Sequence, residues 1–247
     1  MAQGQSGTGK THLMTECWLR AGMLFGGACF ALAPVGDTHA NVMSYKYGYQ
    51  RKLDAIRARK GWNAPETEEE RHAIKALDFL RDMVSIYRDP GECFKAVAEY
   101  AEGDPGDGSP QFSLLIDEGA VARKESPILE SVGPLARNLK GIVYITGHRS
   151  MAMPPAIRAV RRATVLWRSS DGTGDEELER IIDSIPGFQY SPVMGEVKDV
   201  RDKVYRGIRY LPTGPEPFAF NPYTQRMPDW MLLPALPTAI TPRTLTL

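Results

Sequence analysis

The run Gly4-Gln5-Ser6-Gly7-Thr8-Gly9-Lys10-Thr11 has the form G-x-x-x-x-G-K-[ST]. Positions without side chains let a backbone curl tightly enough to aim successive N–H groups at one anion. A lysine placed directly after such a turn reaches the β- and γ-phosphates of a nucleoside triphosphate. The hydroxyl that follows can ligate Mg²⁺. A helix should begin at the turn and add its positive dipole end to the same anion. The expected ATP contacts are therefore Gly4, Gln5, Ser6, Gly7, Thr8, Gly9, Lys10, Thr11 and His12. The plain alternative is a Gly-rich surface turn, and a second motif about a hundred residues downstream argues against it.

There, Phe112-Ser113-Leu114-Leu115-Ile116 is a short apolar run that ends in Asp117-Glu118. Such a run reads as a buried parallel strand whose C-terminal end opens onto a ligand crevice. Asp117 would then hold Mg²⁺ directly or through its water, with Thr11 as the other protein ligand. Glu118 is placed to polarise a water for in-line attack on the γ-phosphate. An acidic pair can also simply terminate a strand. Combined with the glycine loop, the pair points to hydrolysis rather than transfer to a metabolite.

Composition bounds the rest. A chain of 247 residues can bury a full core and fits one large α/β domain. Lysines plus arginines equal the acids at 30 each, so any surface for a polyanion must be local. Cys17, Cys29 and Cys93 form no close-spaced pair and no metal pattern with the four histidines, the usage of a reducing, cytoplasmic compartment. No apolar run is long enough for a membrane span.

Periodicity gives alternating elements. Residues 11–24 carry an i, i+3, i+4 stripe of Leu13, Met14, Cys17, Trp18, Ala21 and Leu24, closed by Gly26-Gly27. Residues 28–35 read as a strand. Ala73, Leu77, Leu80, Val84 and Tyr87 have helical spacing, although 83–87 could pair as a strand instead. Residues 94–101 read as helix, 103–110 as a connector and 112–116 as strand. Then come helix at 127–139, strands at 141–146 and 164–167, and helix at 176–184. Residues 204–211 and 217–220 suggest a hairpin. Eight of the 19 prolines fall in 210–247, so the expected division is an ATPase domain over 1–209 and a proline-rich extension over 210–247.

This alternation predicts a mostly parallel sheet flanked by helices. Only Met1, Ala2 and Gln3 precede the glycine loop, too few for a central strand of about five or six residues. The first strand therefore looks truncated: the natural start lies upstream, the strand is very short, or another segment fills its place.

The order of motifs from Leu114 to Trp167 resembles the FtsK–HerA superfamily of DNA-pumping ATPases. The matching features are Leu115-Ile116-Asp117-Glu118, Leu135-Ala136-Arg137-Asn138-Leu139-Lys140-Gly141, the strand Ile142-Val143-Tyr144-Ile145-Thr146 and Gly147-His148-Arg149-Ser150. Pro154-Pro155-Ala156-Ile157-Arg158 and Ala163-Thr164-Val165-Leu166-Trp167-Arg168 come next. The resemblance covers roughly residues 4–37 and 112–185, just under half the chain. It implies a P-loop NTPase fold of the RecA-like (ASCE) type. His148 stands where the family places a sensor glutamine and would contact the γ-phosphate or the lytic water. The resemblance also implies a homo-oligomeric ring, a hexamer, with ATP between subunits and DNA in the pore. A neighbour's arginine would stabilise transition-state charge, with Arg149, Arg158, Arg161 and Arg162 as candidates. Small single-domain members include genome-packaging ATPases of icosahedral viruses, which implies double-stranded DNA, a capsid vertex and virion association. A Zot-like assembly or secretion ATPase acting on protein is the alternative, and a P-loop kinase the third.

Residues 43–62 supply a candidate DNA surface. Lys46, Arg51, Lys52, Arg57, Arg59 and Lys60 are interleaved with Tyr45, Tyr47, Tyr49 and Trp62, against the single acid Asp54. Such cations grip phosphates without regard to sequence, and aromatics stack on bases. The competing reading is a solvated basic helix paired with the acidic run 66–70.

Overall fold

The computed structural model describes residues 2–3, 9–34, 36–61, 64–102, 112–117, 141–147, 163–166, 205–211, 213–221, 225 and 231. In chain order these form β1 (Ala2–Gln3), α1 (Lys10–Phe25), β2 (Ala28–Leu32), α2 (Asp37–Lys60), α3 (Glu68–Asp82), β3 (Val84–Tyr87) and α4 (Pro90–Glu102). Beyond them lie β4 (Phe112–Ile116), β5 (Ile142–Gly147), β6 (Ala163–Leu166), β7 (Tyr205–Leu211) and β8 (Gly214–Phe220). The expected helices at 127–139 and 176–184 and the connector at 103–110 lie outside the described residues.

The strands make one sheet in the order β3-β2-β4-β5-β1-β6-β7-β8. Every pairing from β3 to β6 is parallel, and β7 and β8 add an antiparallel hairpin at one edge. The first strand is two residues long, yet it sits between β5 and β6 and pairs with both. The hairpin carries the sheet on to Phe220, so a division between 209 and 210 falls inside β7.

β2 and β4 are buried at all five positions, as strands covered on both faces must be. Alternate residues point to opposite faces. Cys29, Ala31, Leu115 and Tyr144 pack under α1 with Val42 of α2 and Leu80 of α3. Ala28, Phe30, Leu32, Leu114, Ile116 and Ile145 pack with Cys93, Val97 and Ala101 of α4. Helices therefore cover both faces of a mostly parallel sheet, as the alternation predicts, and the arrangement is an α/β P-loop NTPase-like fold. Among the described residues no helix is long and apolar enough to cross a membrane.

Two boundaries differ from the periodic reading. The stripe running from Ala73 to Tyr87 stops being helical at Asp82, and Val84–Tyr87 pairs with β2 as an edge strand. Helical spacing and a β-rich run coincide there, and pairing with β2 decides between them. The strand expected over 28–35 ends at Leu32, where Pro34 follows.

α1 is tied to β4 by two hydrogen bonds. The Trp18 indole N–H donates to the Ser113 carbonyl at 3.0 Å, and the Ser113 hydroxyl donates to the Trp18 carbonyl at 3.2 Å. Gly22 makes the close approach to the sheet possible: a Cβ there would stand 2.1 Å from the Cys29 Sγ and 2.9 Å from the Phe79 ring. Gly26, at φ 67°, ends the helix in the left-handed region and donates its N–H to the Gly22 carbonyl.

Candidate functional site

α1 begins immediately after Gly9, which has φ 87° and ψ 15°. An L side chain at that φ costs about 1–2 kcal/mol, so this turn into the helix needs glycine. The first ladder bond runs from the Leu13 N–H to the Gly9 carbonyl at 3.0 Å. A helix start leaves its first N–H groups outside its own ladder, and the first turn of α1 contains no acidic residue to offset its positive end. Lys10 is 8% exposed, and Thr11 and His12 are half-buried.

Asp117 stands at the end of β4, 2% exposed. Its backbone N–H donates to the Leu32 carbonyl at 2.9 Å, which extends the β2–β4 ladder by one rung. Three hydroxyls from three elements donate to its carboxylate. Thr11 at the start of α1 reaches Oδ1 at 2.9 Å, and Thr146 in β5 reaches the same oxygen at 2.6 Å. Thr38 in the first turn of α2 reaches Oδ2 at 2.8 Å. Hydrogen bonds to a charged group contribute about 1.5–3 kcal/mol each, which offsets the burial of a carboxylate.

Sheet order explains the convergence. One strand, β5, lies between β1 and β4, so the loop after β1 and the acid after β4 are two inter-strand steps apart, about 10 Å. Thr146 fills the gap, because Ile116 pairs with Ile145 and Ala2 pairs with Thr146 in register. Thr11 then enters from above on α1.

The structure thus brings Thr11 and Asp117 together, with Lys10 beside Thr11 in the first turn of α1. Gly4, Gln5, Ser6, Gly7, Thr8, Glu118, His148, Arg149, Arg158, Arg161 and Arg162 lie outside the described residues. Sequence reasoning missed two members of the cluster. Thr146 carried one signal, a hydroxyl at the C-terminal end of an apolar strand. Thr38 carried none.

The donor set suits a hard cation. A carboxylate and a hydroxyl are oxygen ligands, and Mg²⁺ is usually held by one or two carboxylates plus substrate phosphates rather than by an all-protein cage. Among the described residues there is no cluster of three or more His, Cys, Asp or Glu that could hold a metal unaided.

The basic segment divides. Along α2, Thr38, Val42, Leu53 and Ile56 are buried, and Tyr45 and Tyr49 pack against the core. Those two tyrosines are thus half-buried, with part of each side chain engaged by the core. Arg57 donates to Glu70 at 2.7 Å, Lys60 pairs with the same carboxylate, and Arg59 lies 3.7 Å from Glu69. The hydrogen bond from Arg57, then that from Lys60, holds the Glu70 carboxyl below its usual range. Half of the basic set thus fastens α2 to α3, in keeping with a basic helix paired to the acidic run. Lys46, Arg51 and Lys52 stand exposed, with Tyr47 at 63% exposure, and Trp62 lies outside the described residues.

No family model and no curated protein matches the chain. Among solved structures it is similar to EssC (ATPases 2 and 3) from Geobacillus thermodenitrificans, with 13% sequence identity and a TM-score of 0.43. The match covers 94% of this chain and 41% of that one, so the chain spans less than half the length of its structural neighbour.

Proposed function

We propose that this chain hydrolyses ATP with Mg²⁺ and works as a DNA translocase in a homo-oligomeric ring, in the manner of a genome-packaging motor. The observation that carries the ATPase reading is the Thr11–Asp117 hydrogen bond at the start of a helix whose first turn holds no acid. It joins the two sequence motifs at one point.

In this reading the backbone of 4–9 and the first turn of α1 cradle the phosphates, and the Lys10 ammonium binds the β- and γ-oxygens. Thr11 and Asp117 would hold Mg²⁺, which would supply charge neutralisation to the phosphates when bound. Glu118 accepts a proton from a water whose oxygen attacks the γ-phosphorus. The bond from γ-phosphorus to the bridging oxygen breaks, and ADP leaves with the electron pair. His148 senses the γ-phosphate, and an arginine among Arg149, Arg158, Arg161 and Arg162 of a neighbouring copy stabilises the developing charge. Sites shared between copies make turnover rise steeply with protein concentration.

The test is nucleotide binding and turnover in Lys10→Ala and Glu118→Gln. Lys10→Ala should lose triphosphate binding, whereas Glu118→Gln should bind ATP and not turn it over. Wild-type turnover in Glu118→Gln would remove that residue from its role. A second reading, a motor acting on protein, is favoured by one observation: Arg57 and Lys60 are engaged by Glu70 and so withdrawn from a polyanion surface. ATPase activity indifferent to DNA in an assembled ring would select it.

A further inference from the structure

We propose that Thr38 is a positioning residue for the carboxylate of Asp117, setting the direction in which that carboxylate meets Mg²⁺. The inference rests on the Mg²⁺–ATP reading above.

An ionised carboxylate offers about four lone-pair directions. Thr11 and Thr146 occupy both on Oδ1, and Thr38 takes one of the two on Oδ2. Among contacts from the described residues, a single direction on Oδ2 is left for a cation or its water. The two donors on Oδ1 hold that oxygen. A twist about the last side-chain torsion moves both oxygens, and among the described residues Thr38 is the donor that holds Oδ2, the oxygen with a direction left open.

Thr38 is built for this rather than for its own helix. It lies inside the first turn of α2, where the N-cap Gly36 offers no side chain and makes no side-chain cap bond. A threonine so placed ordinarily bonds to nearby backbone. This one is fully buried, and its hydroxyl crosses 79 residues of sequence to the end of β4. Because the turn after β2 and the end of β4 are neighbours in the sheet, the contact is set by strand order.

The test compares wild type, Thr38→Val, Thr38→Ser and Lys10→Ala by binding of a fluorescent ATP analogue, titrated with Mg²⁺ and repeated in excess EDTA. Valine keeps the shape and removes the donor, and serine restores the donor. Outer partners of metal ligands alter metal affinity by about 10–100-fold. Thr38→Val should therefore need at least about tenfold more Mg²⁺ for half-saturation, with metal-free binding near wild type and most of the shift reversed in Thr38→Ser. Circular dichroism melts run alongside confirm that the variants fold. An unchanged Mg²⁺ midpoint in folded Thr38→Val overturns the inference. So does an equal loss with and without metal, or a loss that serine does not reverse, since each marks a purely structural contact. Wild type that binds no better than Lys10→Ala overturns the ATP reading itself, and the inference with it.

Discussion

Asp117 gathers three hydroxyl donors on one buried carboxylate. The three cysteines are buried as well. Burial, above all, pushes the thiols of Cys17, Cys29 and Cys93 up from 9.0 to about 12. A thiol is reactive only as thiolate, so all three should resist iodoacetamide at about pH 8 in the folded protein and react on denaturation. The linked stability has a definite sign. A folded-state pKa above the unfolded value contributes stability that is complete below about 9 and is lost as pH rises toward about 12. Urea midpoints measured from about pH 8 upward should fall, and the Cys93→Ala variant should fall less steeply. A flat profile would show that other groups govern alkaline unfolding.

At the scale of elements, α2 and α3 form a helical pair pinned at one end by Glu70. Thr67 caps α3 by accepting the Glu70 N–H at 3.2 Å, while the Glu70 side chain turns back to Arg57 and Lys60. The cations lie in the last turn of α2 and the acids in the first turn of α3, so both helix dipoles are complemented. A carboxyl whose folded pKa is depressed contributes stability above its unfolded value of 4.5, lost as pH falls through the folded value. Amide protection in 50–60 and 68–75, taken relative to intrinsic exchange at each pH, should therefore fall below pH 4.5 in the wild type. Glu70→Gln should show the lower protection already at about pH 7 and little further change with acid. Equal protection in both proteins at neutral pH would remove Glu70 from this role.

At the scale of the whole molecule, α2 is a helix about 36 Å long that touches the Asp117 cluster with its first turn and exposes Lys46, Arg51 and Lys52 farther along. If DNA binds there, Lys46, Arg51 and Lys52 carry the contacts, because Arg57 and Lys60 already have an internal task. Each phosphate contact contributes about 0.9 to the slope of log affinity against log salt, so neutralising these three should flatten it by up to about 2.7. Stimulation by DNA of any sequence should fall with it, while basal hydrolysis persists. Neutralising Arg57 and Lys60 instead should weaken the α2–α3 pair and leave the slope near wild type. The reverse pattern would move the DNA surface to the α2–α3 end.

By itself the sequence determined the phosphate-loop pattern, the acidic strand end, the amphipathic stripe of α1 and the continuous apolar strands buried from both sides. Each is written in residues a few positions apart, where backbone period and side-chain volume act directly. Only the tertiary structure decided that Val84–Tyr87 would pair as a strand, and that Tyr45 and Tyr49 would face the core. It also turned Arg57 and Lys60 to Glu70 and brought Thr38 and Thr146 onto the carboxylate that Thr11 reaches. The hydroxyls meet Asp117 across 29, 79 and 106 residues, distances over which no local pattern reports. Strand order sets those meetings: with β5 between β1 and β4, and β2 on the far side of β4, the ends of four segments open at one point of the sheet.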